Sequence, residues 1–329
     1  MDRTVIGLDV GGTFIKAGLV DRRGRILARV KEPTEASGGK MQILENILSA
    51  LQTIEESPLC RRRITAVGLG VPGLINLQQG VISTSPNFPG WKNFPIQKML
   101  ARRIERPLFL ENDANAAALG EKWMGAARNS RDFCFFTLGT GVGGGLVLGG
   151  KVWHGADGMA GEVGHITIDP QGPRCLCGNR GCLEAYASAK ALRRMVREAR
   201  SAGRASRFFR GLTWRQIDGE SIHRAAKEGD RISLEAFDRM GSALGIGISN
   251  LINLLNLERV ILGGGLSAAW RFFIPALRAE VKRRAFRAPA QRVKIVRARV
   301  GEDAGVLGAA YLAWQGLGIF PLALQSTVD

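Results

Sequence analysis

The first thirty residues alternate apolar and polar positions in three short runs, at 4–9, about 14–20 and 25–30. Alternation with a period of two predicts β-strands that each have one buried face. Val10-Gly11-Gly12-Thr13 joins the first two runs, and Asp21-Arg22-Arg23-Gly24 joins the second and third. The chain is therefore predicted to begin with an antiparallel meander of three strands.

Apolar residues then recur at helical spacing, which predicts a helix over 41–54 that packs on the meander. Its apolar positions are Met41, Leu44, Leu48, Leu51 and Ile54. A strand at 64–69 is predicted to end at Gly70-Val71-Pro72-Gly73, because glycine and proline stop regular structure. The rest of a mixed α/β unit is predicted as a loop at 74–95 with a short strand at 81–83, a short helix at 96–104 and a strand at 107–110.

Residues 133–148 repeat the pattern of strand, glycine-rich turn and strand. Gly139-Thr140-Gly141 in this turn resembles Gly11-Gly12-Thr13 in the first. Glycines let backbone N–H groups approach an anion, and Thr13 and Lys16 add a donor and a charge. A single Gly-Gly turn could be an ordinary hairpin turn. Two such turns favour a duplicated architecture with two phosphate-binding turns facing one cleft.

The remaining segments complete the second half of the chain. Helices are predicted at 189–202, 220–228 and 232–255, strands at 259–262 and 293–297, and a last helix from Asp303 to Trp314. The first of these strands ends in Gly263-Gly264-Gly265. Such a turn could be a tight strand-to-helix connection, or it could let a ligand lie flat on the backbone. With two phosphate-binding turns elsewhere, we favour a nucleotide site.

Polar residues follow the strand at 107–110 in the run Glu111-Asn112-Asp113-Ala114-Asn115. Catalytic groups of α/β proteins favour the carboxyl ends of strands. Asp113 could instead cap the following helix, predicted from Ala116 to Met124, because Asp and Asn are good N-caps. An acid between two asparagines is more than a cap requires, which favours a functional role.

Cys175, Cys177 and Cys182 lie close to His165 in the sequence. Three cysteines and one histidine at this spacing predict a closed structural zinc site. Buried thiols without a metal are the alternative, but the intervening glycines suit a tight metal loop better. Two acids, Glu162 and Glu184, bracket the cluster, so the zinc is expected to hold them in place.

Length and composition allow two domains and an ordinary globular core, with 329 residues. No apolar run approaches the ~20 residues of a membrane span, and no signal-peptide pattern precedes Thr4. Cys60 and Cys134 stand alone, so we expect no disulfide framework and a reducing cytoplasm.

The net charge of +17 raises the question of a nucleic-acid partner. The basic residues are scattered, however, and those from Lys190 to Arg204 form one stripe at helical spacing. A solvated helix face is the favoured interpretation, and neither nucleic acid nor a membrane is expected as a partner.

Six motifs together resemble the ROK family of sugar kinases and repressors, within the actin and hexokinase superfamily of ATPases. They are Asp9–Thr13, Glu111–Asn115, Leu138–Gly145, Gly161–His165, Cys175–Glu184 and Leu262–Gly265. The resemblance implies two actin-like (ribonuclease H-like) α/β domains around a central cleft, with a small zinc-binding loop. The implied domains are 1–112 with 303–329, and 113–302 with the zinc loop 165–182.

The resemblance also implies a kinase that transfers the γ-phosphoryl group of ATP to a sugar hydroxyl, with Mg²⁺. Asp113 matches the general base of the family, and Asp9 would hold Mg²⁺ through water. The implied sugar contacts are Gly73, Asn112, Asp113, Glu162, His165 and Glu184. The implied nucleotide contacts are Gly12, Thr13, Thr140 and Gly141 at the phosphates and Gly264 at the adenosine. ROK kinases are usually homodimers or homotetramers.

Glucose, phosphorylated on its 6-hydroxyl, is the first expected acceptor. Gly70–Gly73 and the Pro86-Asn87 to Gly90-Trp91 stretch resemble the glucokinase branch. In the N-acetylmannosamine kinase branch an arginine stands where this chain has Leu74. Kinases for N-acetylhexosamines, fructose or allose, a polyphosphate-using glucokinase and a sugar-responsive transcriptional regulator are the alternatives. The regulator is disfavoured by an intact Asp113 and by the lack of a DNA-binding segment before Thr4.

Overall fold

The computed structural model describes residues 3–58, 63–85, 88 and 90–319. Cys60 and the Pro86-Asn87 pair of the sequence analysis lie outside the described residues. The strands are β1 (Arg3–Val10), β2 (Phe14–Asp21), β3 (Ile26–Pro33), β4 (Arg63–Val71), β5 (Leu74–Asn76), β6 (Val81–Thr84), β7 (Lys92–Phe94), β8 (Leu108–Asn112), β9 (Phe133–Leu138), β10 (Val142–Leu148), β11 (Lys151–Val152), β12 (Arg259–Gly263) and β13 (Lys294–Arg297).

The helices are α1 (Gly39–Glu55), α2 (Ile96–Ala101), α3 (Asp113–Met124), α4 (Glu184–Ala187), α5 (Ala189–Ser201), α6 (Gly219–Lys227), α7 (Arg231–Leu255), α8 (Trp270–Arg284), α9 (Arg287–Arg292) and α10 (Ala304–Gly316). Helix α3 begins three residues earlier than expected. Met41 of α1 is 51% exposed, contrary to its predicted place in the apolar stripe, since α1 buries Ile43 and Ile47 instead. No helix in the described ranges is both long and apolar enough to cross a membrane.

Two five-stranded sheets repeat one strand order, which confirms the duplication. The first has the order β3-β2-β1-β4-β8 and the second β11-β10-β9-β12-β13. In the first sheet the predicted meander is antiparallel, and β4 and β8 add parallel strands. In the second sheet β12 and β13 are likewise parallel additions beside β9.

A third, three-stranded sheet occupies the region that was predicted as mostly loop. Strands β5, β6 and β7 pair antiparallel in that order. The prediction of a loop over 74–95 was therefore wrong except for the strand at 81–83. Phe88, Trp91 and the β7 residue Phe94 are buried, and their rings pack in sequence with centroids 4.5 and 5.1 Å apart, so aromatic packing stabilises this sheet.

The chain divides into two compact units. Unit 1 comprises Met1–Arg131, Gly145–Gly161 and Ala298–Asp329; unit 2 comprises Asp132–Gly144 and Glu162–Arg297. The domain bounds expected from the sequence remain a prediction. The compact units differ from them because α3, which packs on α10, and the segment Gly145–Gly161 belong to unit 1.

Close backbone approach explains the small residues around α10 in unit 1. A Cβ added at Gly68 would collide with the carbonyl of Ala309, and one at Gly308 with the carbonyl of Ala116. Glycine at these positions lets α10 lie directly on β4 and α3. The N-terminal end of α10 is thereby fixed beside the end of β1, because a Cβ at Gly305 would meet the carboxylate of Asp9.

Candidate active site and metal centre

Three neighbouring strands of unit 1 end at the same level. Asp9 of β1 is in register with Gly70 of β4, and Gly70 is in register with Glu111 of β8. Gly70 has no side chain, and a Cβ there would lie 3.7 Å from the Cα of Asp113. The same Cβ would lie 3.2 Å from the Cβ of Ala116, so the missing side chain lets the first turn of α3, which carries Asp113, pack closely on β4 beside Asp9 of β1.

Asp9 and Asp113 both hold their protons more tightly than ordinary carboxyls. The pKa of Asp9 is raised from 3.8 to about 7, chiefly by burial and also by the negative charge of Asp113, while the charge of Lys16 acts in the opposite direction. Burial also raises the pKa of Asp113 to about 6, against hydrogen bonds from the Ala114 N–H and the Asn112 side chain. Two close carboxylates with too little neighbouring positive charge form a donor set that suits a divalent cation.

Asn112 is the N-cap of α3, so Asp113 is free of the capping role considered for it. The Asn112 Oδ1 accepts hydrogen bonds from the N–H groups of Ala114 (2.9 Å) and Asn115 (3.1 Å). Its Nδ2 donates to the carbonyl of Gly73 at 3.1 Å. The predicted sugar contacts Gly73, Asn112 and Asp113 are therefore brought together within unit 1. Gly73 has a φ of 129°, which favours glycine at this turn.

Glu111 and His154 belong to the same site, and the sequence analysis gave neither a role. Glu111 is 1% exposed; its Oε1 accepts from the Asn112 N–H and from the Asn115 side chain. Its Oε2 lies 2.7 Å from Nε2 of His154, and this hydrogen bond raises the pKa of His154. Glu111 stood within a recognised motif, but nothing in the sequence marked His154 as its partner.

The glycine turn between β1 and β2 is exposed at Gly12 and Thr13. Its backbone is fixed by Thr34, whose N–H donates to the Thr13 carbonyl and whose hydroxyl donates to the Gly11 carbonyl. Lys16 does not extend toward this turn as a free cation, since its Nζ donates to Glu302 Oε2 at 3.0 Å. The turn is thus a preformed loop, and Lys16 has another partner.

The predicted zinc residues form one cluster in unit 2. The ligand atoms of His165, Cys175, Cys177 and Cys182 lie within 4.8 Å of one another. The Sγ atoms of Cys177 and Cys182 are 3.6 Å apart, and Cys175 Sγ is 3.7 Å from His165 Nδ1. Tetrahedral zinc with Zn–S bonds of ~2.3 Å places sulfurs about 3.8 Å apart. The cluster could therefore hold zinc, with Nδ1 of His165 as the ligand and Nε2 left for another partner.

Short turns place the two acids that flank this cluster. A single 3-10 turn, Val163–His165, follows Glu162, whose carbonyl accepts the His165 N–H at 3.0 Å. Glu184 begins α4, and its Oε2 accepts the N–H of Val142 at 2.9 Å. A Cβ at Gly141 would collide with that carboxylate. The second glycine turn, with Thr140 and Gly141, is thus in contact with a predicted sugar contact.

The third glycine turn lies against the end of β9. Gly264 has a φ of 79°, and a Cβ there would collide with the backbone of Leu138. Only glycine combines this conformation with this approach. Gly264 and Gly265 are both exposed, so the backbone after β12 is accessible. Within unit 2, Gly264 therefore lies beside the strand that leads into the Gly139–Gly141 turn.

A duplicated α/β architecture with glycine turns, a carboxylate pair and a Cys₃His cluster defines the class of the protein. A sequence model of the ROK family matches residues 5–316. A glucokinase of Thermotoga maritima is 39% identical over 318 residues, which cover 95% of this chain and 98% of that protein. The chain belongs to the ROK family.

Two further relatives differ in their described roles. A ROK family glucokinase from Streptomyces griseus, solved in complex with glucose and AMPPNP, superposes with a TM-score of 0.82 at 34% identity, covering 95% of this chain and 100% of that one. A xylose repressor of Caldicellulosiruptor bescii is 32% identical over 322 residues, covering 97% of this chain and 80% of the repressor. The family thus includes both enzymes and regulators.

Proposed function

We propose that the protein is an ATP-dependent sugar kinase that phosphorylates the 6-hydroxyl of glucose, with Asp113 as the general base. The observation that carries the proposal is the position of Asp113 at the junction of β8 and α3. Its Oδ1 accepts the Ala114 N–H at 2.9 Å, but Asn112, not Asp113, fills the N-cap role of α3. A pKa of about 6 leaves it mostly ionised at neutral pH and still able to accept a proton.

Phosphoryl transfer depends mainly on positioning and on stabilisation of charge. Asp113 accepts the proton of the attacking hydroxyl, which makes the oxygen a better nucleophile. Asn112 is held by its bond to Gly73, so an amide of fixed orientation borders the base. Mg²⁺, held by Asp9 through water, would neutralise charge on the transferred phosphoryl group. The high pKa of Asp9 without a cation is consistent with that role, because an added positive charge would favour the ionised form.

The proposed sugar contacts of unit 2 are Glu162, His165 and Glu184. Carboxylates can accept hydrogen bonds from two neighbouring hydroxyls, and the imidazole Nε2 provides a third polar group. Zinc at Nδ1 of His165 would fix the orientation of the ring and its tautomer. The metal supports the site in this account and takes no part in the transfer.

Nucleotide contacts are proposed at Gly12, Thr13, Thr140 and Gly141 for the phosphates and at Gly264 for the adenosine. Each lies in a turn whose backbone is constrained by neighbours. Lys16 is proposed as a further contact of the nucleotide phosphates. Paired with Glu302, it acts on Asp9 through its charge, which lowers the pKa of that carboxyl.

The glucokinases among the relatives support glucose as the acceptor. A coupled assay of ADP release would test this over glucose, mannose, fructose, N-acetylglucosamine and N-acetylmannosamine, with ATP and polyphosphate compared as donors. We expect the highest kcat/KM for glucose with ATP. Turnover that is fastest with an N-acetylhexosamine would reassign the acceptor, and turnover only with polyphosphate would reassign the donor.

A sugar-responsive regulator is the second candidate, favoured by the xylose repressors among the relatives and by the net charge of +17. Titration of a labelled DNA duplex at several salt concentrations separates the two functions. Tight, sequence-dependent binding together with no turnover on any sugar of the panel would favour the regulator.

A further inference from the structure

A groove of about 980 Å³ lies in unit 2, apart from every residue assigned above. It is lined by residues of α8, α9 and β13. Its floor is apolar: Val281 and Ala285 are buried, and Val293, Ile295 and Val296 are partly exposed. Covering partly exposed valine and isoleucine side chains lowers the free energy, so a groove that contains several of them favours a bound partner.

The groove follows the open edge of a sheet. Strand β13 is the last strand in the order of the second sheet. The consecutive residues from Val293 to Val296 all line the groove. Side chains of a strand alternate between its two faces, so a groove that touches four consecutive residues runs along the edge. The edge is accessible from the groove.

Backbone groups at this edge are available for pairing. The N–H of Lys294 donates to the carbonyl of Glu258 at 3.0 Å, so Lys294 directs its backbone toward β12. Backbone groups of successive strand residues point to opposite sides. The N–H and C=O of Ile295 therefore point away from β12, toward the groove. An edge with unpaired donors and acceptors is a template for another strand.

The charge of the groove is of one sign. Arg278, Lys282, Arg287 and Lys294 line it, and no carboxylate does. In the described part of the chain, none of these four side chains takes part in an ion pair. Their charges are therefore uncompensated by the protein, which favours an anionic occupant.

We infer that this groove binds an extended acidic peptide segment of another protein, one that alternates carboxylate and apolar side chains. The segment adds a strand to β13, sets its apolar side chains on the floor and its carboxylates against the four cations. A polyanion such as polyphosphate or DNA would leave the apolar floor uncovered. A second copy of this chain, with its own charge of +17, would meet electrostatic repulsion. The inference does not depend on the proposed kinase activity.

Binding of a fluorescent, end-blocked hexapeptide that alternates glutamate and valine tests the charge requirement. We expect saturable binding at low salt, and a rise in Kd of at least about tenfold in the double variant Lys282→Glu/Lys294→Glu. The matched control is Lys190→Glu/Arg197→Glu on the exposed face of α5, which changes the net charge equally. An equal loss of binding in both variants, or no saturable binding to the wild type, would overturn the inference.

Hydrogen exchange tests the strand pairing separately. The bound peptide should slow exchange of the Ile295 amide, and a peptide N-methylated on the bonds that face β13 should bind at least about tenfold more weakly. Unchanged exchange at Ile295 would contradict the added strand. Self-association that Lys282→Glu/Lys294→Glu abolishes, measured by sedimentation, would assign the groove to a second copy instead. Binding of polyphosphate but not of the peptide would assign it to a polyanion.

Discussion

The imidazole of His154 and the carboxylate of Glu111 are joined by a hydrogen bond of 2.7 Å between Nε2 and Oε2. The other oxygen of Glu111, Oε1, accepts hydrogen bonds from the Asn112 N–H and from the Asn115 side chain. His154 itself anchors its own loop, because its carbonyl accepts the N–H groups of Gly158 and Ala160. The buried carboxylate of Glu111 thus links the loop that precedes Glu162 to Asn112 and Asn115, which flank Asp113.

Loss of this bond should destabilise the fold in a pH-dependent way. His154→Ala leaves a buried acceptor unpaired, at a cost of about 1–3 kcal/mol. Because Glu111 raises the pKa of His154, the contribution is fully present below about pH 6.5 and is lost as the pH rises through the higher folded pKa. In thermal melts, the Tm of His154→Ala should therefore lie further below that of the wild type at about pH 6 than at about pH 9.

His154→Gln is the matched control, since an amide can still donate to Glu111 but does not titrate. Its difference from the wild type should be smaller than that of His154→Ala at about pH 6. If His154→Ala had the same Tm as the wild type at both pH values, the hydrogen bond between His154 and Glu111 would not contribute to stability.

Asp9→Asn should stabilise the unliganded protein above neutral pH. The folded chain keeps a proton on Asp9 up to about pH 7, whereas the unfolded chain releases it near 3.8. Neutral Asp9 therefore contributes stability that is fully present below about pH 3.8 and is lost as the pH rises through about 7. In Mg²⁺-free buffer, the Tm of the variant should exceed that of the wild type more at about pH 8.5 than at about pH 5.5. A gain that is equal at both pH values would mean that Asp9 is not the titrating group.

Gly141→Ala should weaken glucose binding, because the new methyl group would displace the Glu184 carboxylate from the Val142 N–H. Gly139→Ala is the matched control in the same turn, where an added Cβ meets no protein atom within 4 Å. Titration calorimetry without nucleotide should show a rise in glucose Kd of about tenfold for Gly141→Ala and little change for the control. Equal glucose affinities in the two variants would show that Glu184 does not contact the sugar.

Cys177→Ser should lower zinc content, Tm and glucose affinity together, since a thiolate ligand is lost from the cluster. Leu176→Ser is a suitable control, because Leu176 is a neighbouring side chain that is 81% exposed and is not in the cluster. Metal analysis should give about one zinc per chain in the wild type and the control. A zinc-depleted Cys177→Ser protein with unchanged glucose affinity would show that sugar binding does not depend on the metal.

Local patterns predicted the parts of the fold that depend on neighbours in sequence. The alternation at 4–9, 14–20 and 25–30 predicted the meander, and the Cys₃His spacing predicted the cluster. Strands β5 and β7 of the small sheet were missed because each has only three residues, too few for a period of two to be seen.

Contacts between distant residues were the other part that the sequence did not reveal. The ion pair of Lys16 with Glu302 joins residues that are 286 positions apart. Glu111 and His154 are 43 positions apart, and only the fold brings them together. Asn112, not Asp113, caps α3 because the helix begins at Asp113, one residue after the end of β8.

The role of Asp113 is the central claim, and Asp113→Asn tests it most directly. The amide keeps the shape of the carboxyl but cannot accept the proton of the sugar hydroxyl. Glucose affinity by calorimetry and kcat by the ADP-release assay should be measured on one preparation. We expect a glucose Kd close to that of the wild type and a kcat lower by about a thousandfold or more. A kcat within about tenfold of the wild type would show that Asp113 is not the base.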